Sequence, residues 1–231
     1  MLEEIKNNTN TENMAKRPPK KRSKNLGSTP GRTDPLGLRI VGGTFRGRKL
    51  DYGGDRRVRP MKDRIREALF NLIGPPIKGK YVVDLFGGTG AIGLEALSRG
   101  AVGATFIERH FPTARVLRAN AESLGVQDRI EIVTNDTFFW LRNPTELSEE
   151  PWCVFVSPPY SFYIDRADDM LNLIGTLIDR APAGSIFAVE SDDQFDFATL
   201  PEAEAWDVRP YYPAVVGVYR KGEDREIEDR E

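Results

Sequence analysis

Cysteine and histidine are almost missing from this chain of 231 residues: Cys153 and His110 are the single examples of each. One cysteine excludes an internal disulfide, and the pair leaves no His- or Cys-rich cluster of the kind that holds zinc. Long apolar runs are lacking as well. None approaches the roughly 20 residues of a membrane-spanning helix, and the N-terminus shows no apolar secretory segment. A cytoplasmic protein with no metal and no membrane contact is expected, working as a monomer. Against these absences stands a 39% hydrophobic content, suited to one soluble α/β core.

The net charge of −2 conceals a strong asymmetry. Residues 1–80 hold 20 Lys+Arg against 8 Asp+Glu, whereas residues 81–231 hold 13 against 27. A basic front joined to an acidic body points to a polyanionic partner engaged by the N-terminal part. Residues 1–36, with the run Lys16 to Lys24, show no apolar periodicity and are expected to be a disordered basic arm. Residues 37–79 are expected to form a hairpin around Leu38–Leu50 and a helix from Met61 to Ile73, together a basic extension suited to a polyanion. Their arginines are interleaved with apolar residues, which a merely solvated charge run would not need. Residues 221–231 look like a disordered acidic tail.

From residue 80 to 220 the pattern alternates buried strands with helices, the signature of a parallel sheet covered on both faces. Strands are expected at 81–86, 103–108, 130–134, 152–157 and 184–190, and helices at 90–99, 111–124 and 165–180. Trp206 to Tyr219 fits a closing antiparallel hairpin.

Asp84 to Gly93 reads as a strand, a glycine turn and a helix start. Gly88, Gly90 and Gly93 satisfy the literal G-x-G-x-x-G spacing, which by itself suits NAD and S-adenosylmethionine alike. Glu108, at the end of the next strand, is placed to accept both ribose hydroxyls of an adenine nucleoside. Asp84 tips the balance. An acid beneath the glycine loop repels a pyrophosphate and attracts the ammonium of S-adenosylmethionine. Asp136 is placed either to accept from the adenine amine or to cap a helix. Phe86, Arg109 and Thr137 complete the expected cofactor-binding set.

After the apolar run Cys153 to Val156 comes Ser157-Pro158-Pro159-Tyr160. Two prolines end a strand, because each removes a donor and fixes φ, so acceptors are left free at the sheet's carboxyl edge. These four residues are the expected catalytic group. Ser157 Oγ and the Pro158 carbonyl would hold the N–H groups of a base's exocyclic amine, and Tyr160 would stack on the base face.

Taken together, these residues resemble the RsmD family of bacterial 16S ribosomal RNA guanine-N2 methyltransferases. The likeness runs from about residue 38 to 220, through Arg39-Ile40-Val41-Gly42-Gly43, Arg46-Gly47-Arg48-Lys49-Leu50, Arg59-Pro60, Asp63 to Asn71, and Asp84 to Gly100. It implies a class I S-adenosylmethionine-dependent methyltransferase, Rossmann-like with a mostly parallel seven-stranded sheet, carrying a basic N-terminal extension. It also implies S-adenosylmethionine as donor and 16S rRNA or the small ribosomal subunit as partner. Arg39, Arg46, Arg48, Lys49, Arg59 and Arg64, with Arg56, Arg57 and Arg66, are expected to track phosphates around the pocket. The chain departs from the family at Ser157, where Asp is usual. Serine is neutral and able to donate, which leaves this side chain unsuited to proton removal. Three rivals stay open: an adenine-N6 methyltransferase on RNA or DNA, an NAD-dependent oxidoreductase, and a noncatalytic, cofactor-binding ribosome-assembly factor.

Overall fold

Strands that are apolar on both faces need helices on both sides, and the chain supplies them between successive strands. The computed structural model describes residues 37–54 and 59–222. The strands are β1 (Tyr81–Asp84), β2 (Gly103–Ile107), β3 (Ile130–Val133), β4 (Trp152–Val156), β5 (Ile186–Asp192), β6 (Trp206–Tyr211) and β7 (Ala214–Arg220). They form one sheet in the order β3-β2-β1-β4-β5-β7-β6, with β7 antiparallel to both neighbours and every other pairing parallel. This is the seven-stranded mixed sheet of class I S-adenosylmethionine-dependent methyltransferases.

The helices are α1 (Asp63–Ile73), α2 (Ala91–Ser98), α3 (Phe111–Leu124), α4 (Thr137–Arg142), α5 (Phe162–Asp165) and α6 (Ala167–Arg180). Alternation along the strands sorts the core into two layers. Val82, Cys153, Phe155, Ile186 and Ala188 face one cluster with α1, α2 and α3. Val83, Val154, Val156, Phe187 and Val189 face the other, which includes Met170, Leu173 and Leu177 of α6. Leu38, Ile40 and Leu50 belong to the first cluster, so the N-terminal stretch shares the core of the sheet domain.

The hairpin expected over Leu38–Leu50 is short: one antiparallel bridge, Arg39 to Lys49, with the Ile40 amide donating to the Arg48 carbonyl and the Leu50 amide to the Leu38 carbonyl, closes a glycine-bearing loop. It extends no further because the Val41 and Gly42 amides donate to the Glu95 carboxylate, at 2.6 and 2.7 Å, instead of to a ladder. The helix expected over 165–180 is α6, which starts two residues later because Arg166, at φ −138° and ψ 37°, separates it from α5. Helix α4 was not foreseen. The expected basic arm, Arg56, Arg57 and the acidic tail beyond residue 222 lie outside the described residues.

Candidate active site

Gly90 caps the first turn of α2 at φ 83°, a left-handed conformation that glycine takes without strain. One helical turn on, a Cβ at Gly93 would meet the Phe106 ring at 2.3 Å, so α2 packs against β2 only because that position is bare. The close approach brings the Gly93 amide to Asp84 Oδ2 at 3.3 Å. Asp84 is 1% exposed, and its other oxygen has no partner. Burial pushes its carboxyl up to about 7, with Glu108 adding to the rise and the backbone donors of Gly93 and Phe86 opposing it. A buried carboxyl with an orphaned oxygen is suited to an incoming cation.

Glu108 lies where the sequence places it, just past β2. Its Oε2 accepts from the Gly88 amide at 2.9 Å and its Oε1 from the His110 amide at 2.6 Å. Each oxygen keeps a lone pair for a further donor, as ribose hydroxyls require. Asp136 is a helix cap: Oδ1 accepts from the Phe138 and Phe139 amides at the start of α4. The Thr137 hydroxyl donates to the Leu85 carbonyl and is buried, so it ties β1 to α4 and does not present itself to a ligand. Phe86 packs edge-on against Phe138 and Phe162, and the Arg109 guanidinium lies 5.8 Å from the Phe162 ring centre. Arg166 covers Phe138 at 3.6 Å. Phe162 and Arg166 thus pack onto Phe86 and Phe138 from beyond the proline motif, and no local sequence signal singled them out.

The proline motif stands at the carboxyl end of β4, beside β5. Val156 of β4 registers with Val189 of β5, so the next residues, Ser157 and Glu190, fall side by side on the face that carries Asp84. Ser157 Oγ donates to Glu190 Oε2, and the Tyr160 hydroxyl donates to Oε1 at 2.9 Å. Tyr163 fixes the strand end by donating to the Glu190 carbonyl at 3.1 Å. Glu190 is 7% exposed, and its burial raises the carboxyl above the usual range against the two hydroxyl donors. Burial and the neighbouring carboxylate also push the Tyr160 phenol up, so it remains a donor. Among the described residues the Pro158 carbonyl accepts no hydrogen bond. Glu190 was missed from the sequence, although an acid closing an apolar strand at the carboxyl edge is the signal that had already singled out Glu108.

Arg39, Arg46, Arg48, Lys49, Arg59 and Arg64 are all exposed, as phosphate contacts require. The structure does not gather them around the motif. Thr44 and Phe45 bond to Ser98 at the C-terminal end of α2, and Arg48 donates to the Ser123 carbonyl near the end of α3. Arg46 and Arg48 therefore sit toward the opposite edge of the sheet, since α3 with its 14 residues runs about 21 Å away from the carboxyl edge. Arg39 pairs with Asp63 at 2.9 Å. Arg59 is nearer the site, because Met61, two residues on, packs beside Ser157 and Glu190. Arg66 is a correction. It is fully buried, bonded to the Met61 and Arg39 carbonyls and to Asp63, and paired with Glu95 at 3.5 Å, so it holds the fold and cannot reach a phosphate.

The family model described as conserved hypothetical protein 95 matches residues 38–205. The ribosomal RNA small subunit methyltransferase D of Escherichia coli K12 is 36% identical over 71% of this chain and 79% of its own length. The chain belongs to the RsmD family. A solved Escherichia coli structure, yhhF, provisionally named a methyltransferase, superposes on this RsmD-family chain with a TM-score of 0.66. It is 31% identical and covers 80% of this chain and 98% of its own. The fold is shared more widely. A Thermus thermophilus 16S rRNA N2 methyltransferase, RsmC, solved with S-adenosylmethionine and guanosine, is 21% identical with a TM-score of 0.58, over 73% of this chain and 44% of its own.

Proposed function

We propose that this chain transfers a methyl group from S-adenosylmethionine to the exocyclic N2 amine of a guanine in 16S ribosomal RNA. The observation that carries the reading is the shared carboxyl edge of the sheet: Asp84 and Glu108 flank the glycine turn, and Ser157 to Tyr160 follow directly on the end of the adjoining strand β4. The names of its relatives, small subunit methyltransferases of ribosomal RNA, support the RNA part of this reading. No helix among the described residues is long and apolar enough to cross a membrane.

The residues fit the cofactor. The orphaned Asp84 oxygen would take the ammonium, Glu108 the ribose hydroxyls, and Phe86, Phe138 and Arg109 the adenine side. When bound, S-adenosylmethionine supplies a methyl already activated as a sulfonium. The chain's task is then to hold the amine in line and exclude water. Guanine's amine is a poor nucleophile because its lone pair is delocalised. Hydrogen bonds from its two N–H groups to Ser157 Oγ and the Pro158 carbonyl favour a pyramidal nitrogen and offset the charge that develops there. The Tyr160 ring, held by Glu190, offers a stacking face for an unstacked base.

Incubating the protein with labelled S-adenosylmethionine and small subunits, then mapping the methylated nucleotide, tests the reading directly. Label on an adenine, or none on RNA, would overturn it. Tyr160→Ala is expected to lower turnover by about 5- to 150-fold, as about 1–3 kcal/mol of stacking implies, with cofactor affinity unchanged in a calorimetric titration. Joint removal of Arg46 and Arg48 is expected to weaken RNA binding and flatten its salt dependence by about 0.7–0.9 log units per lost phosphate contact. Cofactor binding should be spared. Equal loss of both affinities would show that these two arginines serve the fold.

A further inference from the structure

A serine at position 157 ought to be a weak partner for a developing cation, being uncharged and free to donate. The structure removes the second objection and answers the first. Its proton is committed to Glu190 Oε2, so the Ser157 oxygen can turn only lone pairs toward an amine. Behind that oxygen stands a carboxylate on the neighbouring strand, whose other oxygen is held by Tyr160. We propose that Glu190 supplies, through the Ser157 hydroxyl, the anionic acceptor that the motif itself lacks, orienting the target amine and taking up its proton. The inference rests on the methyl-transfer reading above.

The step balances. The amine nitrogen forms its bond to the methyl carbon as the carbon–sulfur bond breaks, with the electron pair leaving on sulfur. The nitrogen, now cationic, passes a proton to Ser157 Oγ while the serine's own proton moves to Glu190 Oε2. Glu190 ends neutral and later loses the proton to solvent. Its burial suits it to this, because a raised affinity for protons makes it a better acceptor than an exposed carboxylate. Tyr160 cannot substitute, since its phenol is held in the protonated form. Glu190 does not touch the amine and is therefore a positioning residue that acts through Ser157.

The test is a rescue. Glu190→Gln is expected to cut kcat about 100-fold, the low end of what a proton acceptor contributes, with KM for small subunits and cofactor affinity within about 3-fold of the parent chain. Ser157→Asp placed in the Glu190→Gln background is expected to restore kcat at least 10-fold, because a carboxylate now meets the amine directly and the glutamine amide can donate to it. No restoration in a folded, cofactor-binding double variant would mean that Glu190 serves only to shape the strand end, and the proposal would fall. Full activity in Glu190→Gln alone would overturn the proposal and leave the functional reading intact. A parent chain that methylates neither small subunits nor naked 16S RNA would defeat that reading, and this inference with it.

Discussion

Asp84→Asn is expected to abolish S-adenosylmethionine binding and, at pH 8, to raise the melting temperature of the ligand-free protein. The two effects share one cause. A carboxyl that is 1% exposed with an oxygen lacking any partner is costly to ionise, and its pKa rises from 3.8 to about 7. Because the folded value lies above the unfolded one, Asp84 favours the folded state fully below about pH 4. That contribution is lost as pH rises through 7 and the folded chain must carry the buried charge. At about 1.4 kcal/mol per unit the loss is of the order of 4 kcal/mol. Asparagine keeps the acceptor for Gly93 without the charge, so a gain of several degrees is expected at pH 8 and almost none at pH 4. Thermal melts at both values read this out. Equal melting points at pH 8 would remove the strain argument. In the parent chain a proton competes with the cofactor's ammonium, so affinity should fall by up to tenfold per pH unit below about 7. Titration calorimetry between pH 5.5 and 8.5 tests that slope.

Glu95→Ala is expected to destabilise the protein by about 3–5 kcal/mol, the range for breaking a buried ion pair from one side. Glu95 has no exposed surface, accepts from three donors, the Val41 and Gly42 amides and Arg99 Nε at 2.8 Å, and forms an ion pair with Arg66 Nε at 3.5 Å. Removing it takes from the buried Arg66 guanidinium its buried counter-ion, leaving it only the partly exposed Asp63, and unlatches the loop from Leu38 to Leu50. Urea denaturation should show the loss as a lower midpoint with an unchanged slope. The exposed pair Arg39–Asp63 offers the contrast: Arg39→Ala is expected to cost less than 1 kcal/mol.

Glu95 also shows where reading a sequence reaches its limit. It lies within Asp84 to Gly100, one of the stretches that carry the family resemblance, yet nothing local says that this acid is a buried hub. Arg66 misled in the same way. Its spacing among apolar residues suited a surface contact, and only the packing of α1 against the sheet shows it buried with both terminal nitrogens bonded inside the protein. The carboxyl-edge acids were more legible. Asp84 stands just before the glycine turn and Glu108 closes an apolar run, and in a parallel sheet such positions open on the ligand crevice whatever the rest of the chain does. Asp136 could be read either as a ligand group or as a cap, and the amides of Phe138 and Phe139 show it capping α4.

What the sequence determined alone was the sheet, the glycine turn and the strand ends that carry acids and the proline motif, because strand alternation, turn chemistry and proline's missing donor act within a few residues. Tertiary structure alone decided which of those ends meet. Ser157 and Glu190 are 33 positions apart and share a hydrogen bond because β4 and β5 lie in register, while Phe162 and Arg166 pack over Phe138 because the chain breaks between α5 and α6. Such contacts depend on strand order and packing, which no local pattern encodes.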